Sequence, residues 1–234
     1  MAQSNAKPGA QVDPGKMLED ALRRSDALSG YTIPFYMRER TKPFDGMSDW
    51  GHIRAYYRKE PLAVKFVWLN KDSEYTEAVY VEGYNDNQVM ARERRGFLGL
   101  PPRTVSIKPE AAVSWRKTIR PITDFGLDRL VRHTLQGIAD AQRHGDVRII
   151  YAGHAAPPDI RPNMETDAHH IVVHYPKGFA ESNRQDVYIS TQTGYPIATY
   201  FWRGDGRLLA AYLYGRPVPP APPLNRFHLS AAST

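Results

Sequence analysis

The chain has 234 residues, 41% of them hydrophobic, and 31 Lys and Arg against 25 Asp and Glu give a formal charge of +6. That length supports one large β-rich domain with a sizeable core, or two small ones. Cysteine is absent, which excludes disulfides, thiolate metal sites and cysteine nucleophiles, and no apolar run reaches the ~18 residues of a membrane helix. The basic excess is scattered, and Glu93 sits inside the densest run of arginines, so it reads as a solvated surface rather than a stripe for nucleic acid. The opening stretch, MAQSNAKPGAQVDPGK, lacks the apolar core of a secretory signal. A cytoplasmic chain and a mature exported form both fit that start.

Residues 1–12 are polar and small and read as a disordered segment. Asp13-Pro14 then gives a helix start, with Asp as N-cap and Pro at the first helical position. Leu18, Ala21, Leu22, Ser25 and Leu28 share one face of that helix, and Ser29-Gly30 closes it. Tyr31 to Arg40 is a first strand, in which Pro34 suggests a sheet edge or a bulge. Long strands follow over residues 52–83. There Val64, Phe66 and Trp68 alternate with Ala63, Lys65, Val67 and Leu69, and Val79 and Val81 alternate with Ala78, Tyr80 and Glu82. Tyr84 to Asn87 is a hairpin turn returning into Gln88–Glu93. GFLGLPP (96–102) is a loop with exposed Phe97 and Leu98, and Val105 and Ile107 mark a short strand.

Thr123-Asp124 is read as the cap of a second helix over 125–143. Its apolar stripe is Leu127, Leu130, Val131, Leu135, Ile138 and Ala139. Strands resume at Val147–Gly153, Ala168–Tyr175, Arg184–Ser190, Tyr195–Arg203 and Leu208–Tyr214, with hairpin turns at Thr193-Gly194 and Gly204–Gly206. After Gly215 the proline-rich stretch reads as an extended tail, residues 216–234, outside the core. Helix, about five strands, helix, about five strands, with short turns, favours an antiparallel sheet. The expected class is α+β, mainly β: a strongly curved antiparallel sheet wrapping a helix, forming one domain over 13–215.

Several segments occur in the order seen in one bacterial family: KFVWL (65–69), VYVEGYNDNQVMAR (79–92), IKPE (107–110), IRPITDFGLDRLV (119–131), VYISTQTGYPIATYFW (187–202) and AAYLYG (210–215). The chain resembles that family, the domain of unknown function numbered fifteen-seventy-one. The family in turn resembles the LolA/LolB lipoprotein-carrier fold. The resemblance implies an open curved sheet holding helices and a periplasmic or cell-envelope location, and it supplies no activity. The proline-rich ending departs from the family pattern.

No Gly-x-Ser-x-Gly elbow or phosphate-cradling loop is present. His169, His170 and His174 are the nearest approach to a metal site. On a strand His170 and His174 share a face about 13 Å apart, too far for one ion, so neither a metal nor a cofactor is expected. Arg120 precedes Pro121 and the second helix. It is placed either to bind a carboxylate or phosphate at a cleft mouth or to pair with a sheet carboxylate. The aromatic strip Phe66, Trp68, Tyr80, Phe201, Trp202, Tyr212 and Tyr214 is core by default and cleft wall if the sheet is open. The expected cleft lining is Val64, Phe66, Trp68, Val79, Val81, Phe201 and Tyr212, with Arg120 for a head group. These residues describe a non-enzymatic monomer that binds a lipid or acylated protein, touches membrane peripherally and takes no nucleic acid. The alternatives are a hydrolase of an envelope polymer using Arg120 and the histidines, and an interaction module with no small ligand.

Overall fold

In the computed structural model, which describes residues 12–41, 46–94, 101–162 and 164–230, eleven strands join into one sheet. They are β1 (Gly30–Glu39), β2 (Gly51–Arg58), β3 (Ala63–Trp68), β4 (Tyr75–Val81), β5 (Val89–Glu93), β6 (Thr104–Ile107), β7 (Arg148–His154), β8 (Ala168–His174), β9 (Ser182–Ser190), β10 (Pro196–Arg203) and β11 (Leu208–Tyr214). Three α-helices accompany them: α1 (Pro14–Asp26), α2 (Pro109–Ser114) and α3 (Leu127–Gln142). The order in space is β6-β5-β4-β3-β2-β1-β11-β10-β9-β8-β7. Two antiparallel meanders therefore join where β1 pairs with β11, and β6 and β7 are left as open edges. This is the mainly β architecture the sequence pattern predicted, open as the family resemblance implied; α2 is an addition to it. The expected disordered start (through residue 11) and the Phe97–Leu98 loop tip lie outside the described residues.

Local chemistry explains the joints. Asn85, Asp86 and Asn87 turn the β4–β5 hairpin with φ of 48°, 51° and 56°, a region their short polar side chains tolerate. Asp13 caps α1 by accepting from Gly15 N and Lys16 N at 2.9 and 3.1 Å. Pro34 does not mark an edge, because β1 lies between β2 and β11. Its carbonyl accepts from Gly215 N at 2.8 Å, while Thr32 N donates to Val218 O at 3.0 Å. The missing N–H of Pro34 thus falls in the gap between those two bonds, where a sheet loses nothing by it.

Alternation assigns each strand two faces, and they are packed differently. The inner face of β8 and β9 (Ile171, Val173, Val187, Ile189) is covered by α1 and α3 through Leu18, Ala21, Val131 and Ile138. Gln185 ties the two layers: its amide donates to Thr134 Oγ1 at 2.9 Å and Thr199 Oγ1 at 3.1 Å, and its carbonyl accepts from Tyr175 at 2.9 Å. The outer face of β8–β11 carries a separate cluster around Tyr188, Tyr200 and Leu213. The outer face of β3 and β4 is closed by the C-terminal stretch. There Phe227, only 5% exposed, packs on Ala63 and Val79. Lys65 Nζ donates to His228 O at 2.8 Å, and Glu77 accepts from Ser230 N at 2.7 Å. The stretch expected to extend away from the core is therefore partly core, because Phe227 gives it an apolar anchor and Lys65 and Glu77 give it polar ones.

Candidate functional site: an apolar cleft over the uncovered half of the sheet

α1 and α3 are too short to cover eleven strands. Over β1 and β3–β6 the inner face is instead roofed by α2 and the segment that leads into α3, leaving a cleft of about 510 Å³. Its sheet wall is Phe35, Met37, Phe66, Trp68, Ala78 and Tyr75, continuing through Val89, Ala91, Val105 and Ile107. Its roof is Pro109, Ala112, Trp115, Pro121 and Ile122. Phe125 forms the floor, with ring centroids 5.0 Å from Phe35 and 4.9 Å from Phe66. The packing is edge-on to both rings, which aromatic quadrupoles favour.

One end is polar. Arg120 lies with its guanidinium 4.5 Å above the Phe201 ring, beside Glu39 and Tyr212 in the cleft lining. Glu39 is 2% exposed and accepts from Thr118 Oγ1 and Ile119 N, both at 3.1 Å, and from the Tyr212 hydroxyl. Burial raises the Glu39 carboxyl above its usual range, against the opposing pull of those donors and of Arg120. Burial also holds the Tyr212 hydroxyl far above its ordinary value, with the Glu39 charge adding to it. At the mouth Lys117 Nζ pairs with Glu74 at 2.8 Å, and Trp115 is 66% exposed.

The expected lining divides by face. Phe66, Trp68, Tyr212 and Arg120 meet in the cleft; Val64 and Phe201 lie in the same inner cluster, at its margin. Val79 and Val81 do not: they lie on the outer face, packed against Phe227 and Leu229. The cross-strand register decides this. Val64 sits opposite Tyr80 and Phe66 opposite Ala78, so β4 presents Ala78 and Tyr80 inward, and pairing register is not written in either strand's own alternation. Phe35, Tyr75, Trp115 and Phe125 are site residues that the sequence pattern did not single out. Phe35 carries a signal in the Tyr31–Ile33–Phe35–Met37 alternation; Phe125 sits in a loop and carries none.

The histidines separate as the strand period requires. His170 stacks on Tyr188 at 4.4 Å and lies 3.4 Å from Asp186, while His169 meets Tyr151 Oη at 3.0 Å on the other face. Among the described residues no group of three or more His, Asp or Glu side chains is placed to hold a metal ion. No helix there is long and apolar enough to cross a membrane.

Among solved structures the chain is similar to an uncharacterized conserved protein from Thermus thermophilus, at 12% identity and a TM-score of 0.50, covering 93% of this chain and 94% of that one. It is also similar to MucB, at 15% identity and a TM-score of 0.53, covering 95% of this chain and 64% of MucB. The complex of Pseudomonas aeruginosa MucA and MucB matches at 12% identity and a TM-score of 0.50, covering 94% of this chain and 62% of that one. This chain therefore spans less than two thirds of MucB. A LolA superfamily protein from Nitrosomonas europaea overlaps 94% of this chain and 99% of its own, at 9% identity and a TM-score of 0.37. At such identities the likeness to the first three is one of fold alone. No curated protein matches the chain in sequence. One family model matches residues 28–215, a span that encloses every segment carrying the family resemblance. The chain belongs to the family described as protein of unknown function DUF1571.

Proposed function

We propose that this protein is a non-enzymatic component of the bacterial cell envelope that takes an acyl chain, from a lipid or a lipidated partner, into its inner cleft. The observation that carries this reading is the cleft itself: about 510 Å³ with aromatic and aliphatic walls and a cation, Arg120, at one end. Pockets of this kind reward chains by burial alone, about 0.8 kcal/mol per methylene with no directional demand. Exposed Trp115 beside Lys117 at the mouth suits brief contact with a membrane surface. Among the described residues no histidine lines the cleft beside Ser106 or Thr118, so Arg120 and the histidine group do not meet there as the hydrolytic reading would have them. MucB, similar in fold, is known in complex with MucA, and a protein partner carrying a lipid would join both kinds of binding.

A fluorescent fatty acid tests the reading. It should bind in the micromolar range, about −8 kcal/mol, which about ten buried methylenes supply. Native mass spectrometry of gently purified protein should show a retained lipid. Trp68→Asp, at a half-buried wall position, should weaken the probe while the melting temperature shows the protein folded. A folded wild-type protein that takes no probe would end this reading and leave the interaction module.

A further inference from the structure

The charged groups around the cleft are not equivalent. Lys117 is held by Glu74 at 2.8 Å, Glu93 faces Arg103 at 3.5 Å, and Asp124 faces His133 at 3.5 Å. Both oxygens of Glu39 are engaged by three donors from Thr118, Ile119 and Tyr212. Arg120 differs: its guanidinium lies 4.5 Å over the Phe201 ring and acts on Glu39 through its charge, while the Glu39 oxygens are taken by other donors, which leaves the N–H edges of the guanidinium for something else. A planar fork of donors at the end of an apolar cleft fits a planar carboxylate.

Length sets the second constraint. The cleft runs across adjacent strands from Tyr212 on β11 to Ile107 on β6, about 29 Å at ~4.8 Å between neighbours. A long acyl chain can lie extended along that span with its carboxylate at the Arg120 end.

Resting on the lipid-binding reading above, we infer that the ligand is a long-chain carboxylate, a free fatty acid, held by Arg120 at the head and by the Phe35–Phe66–Phe125 aromatic group along the chain. The Arg120 cation selects against neutral chains, and its planar fork favours a carboxylate.

The test uses the full chain. Native mass spectrometry follows incubation with dipalmitoylphosphatidylglycerol vesicles containing palmitate, and displacement of a fluorescent fatty acid by palmitate or 1-hexadecanol is measured on wild type and Arg120→Gln. The expected result is retained palmitate and no phosphatidylglycerol, which has a phosphate in place of the carboxylate. Arg120→Gln should weaken palmitate about tenfold, as loss of a charge-assisted pair does, and change hexadecanol by no more than about twofold. Phosphatidylglycerol retained in place of palmitate, or equal losses for the acid and the alcohol, would each overturn the inference while leaving lipid binding intact. Failure of every acyl ligand and of the probe on folded protein would remove the lipid-binding reading along with it.

Discussion

Glu39 shows what a single side chain does at this site. It is buried under Tyr212, Thr118 and Ile119, and burial lifts its folded-state value above the 4.5 of an unperturbed glutamate. The folded protein therefore binds this proton more tightly than the unfolded chain does. The stability it contributes is full below about pH 4.5 and is lost as the pH rises through the raised folded value. Glu39→Gln cannot titrate, so the melting-temperature difference between wild type and variant should shrink as the pH climbs through that window; a constant difference would refute the assignment. Asp186 has the opposite sign. Burial pushes its carboxyl up, but the neighbouring His170 and hydrogen bonds from Arg184 and Trp202 hold it below its usual value. Arg184 reaches it at 3.0 and 2.8 Å and Trp202 Nε1 at 2.6 Å. Asp186→Asn should cost about 1–3 kcal/mol near neutral pH, and that cost should fade as the pH drops through the lowered folded value. The Glu39 partner set is not legible in the sequence, because Tyr212 lies 173 positions from Glu39 and only the sheet brings them together; Arg184, two positions from Asp186 on one strand, is legible.

At the scale of the element, the sequence pattern of α3 matches the structure in most of its stripe and not in its start: Ala139 is exposed and Asp128, expected on the polar face, is buried. Leu127, Leu130, Val131 and Ile138 are buried as the 3.6-residue period required. Thr123 and Asp124 instead form a short 3-10 turn, and Asp124 lies 3.5 Å from His133. The helix begins after Gly126, which has no side chain to cap it. The Tyr31 hydroxyl accepts from Leu127 N at 2.7 Å in place of a cap, a contact 96 residues away along the chain that no local motif announces. Gly126 is required by that entry: φ is +147°, and a Cβ there would lie 2.9 Å from Asp128 and 3.0 Å from the Tyr57 ring. Gly126→Ala should cost about 1–3 kcal/mol and lower the melting temperature by about 2–4 °C per kcal/mol. Ile138→Ala removes a side chain from between α3 and β8–β9 and should cost about 2–5 kcal/mol; wild-type-like melting of that variant would contradict the packing.

For the whole molecule, the decisive fact is that α1 and α3 pack over the inner face of β8 and β9, while from β11 to β6 α3 reaches the inner face only through its first turns. The first region is ordinary core, and the second holds the cleft. The last described stretch closes the reverse side, where Phe227 and the bonds to Lys65 and Glu77 hold it in place. Ending the chain at Pro223 should therefore cost about 3–5 kcal/mol, from the buried ring and the lost hydrogen bonds. Faster hydrogen exchange should follow in β3 and β4. Unchanged melting would show that the stretch is an appendage.

The strands, hairpins and both long helices were determined by the sequence itself, because periods of 2 and 3.6, turn-forming Asn, Asp and Gly, and the Asp13-Pro14 cap act over a few residues. The family too could be read from local segments. Which faces meet was decided only in three dimensions. Val79 and Val81 alternate as regularly as Phe66 and Trp68, yet the β3–β4 register turns them outward under Phe227. Pro34 reads as an edge or a bulge residue, and it sits mid-sheet where the pairing shifts by one residue between Phe35–Tyr214 and Thr32–Val218. Phe125 and Trp115 became floor and mouth of the cleft through chain packing alone. Alternation fixes the difference between neighbouring residues; the choice of which face is buried against what belongs to contacts distant in sequence.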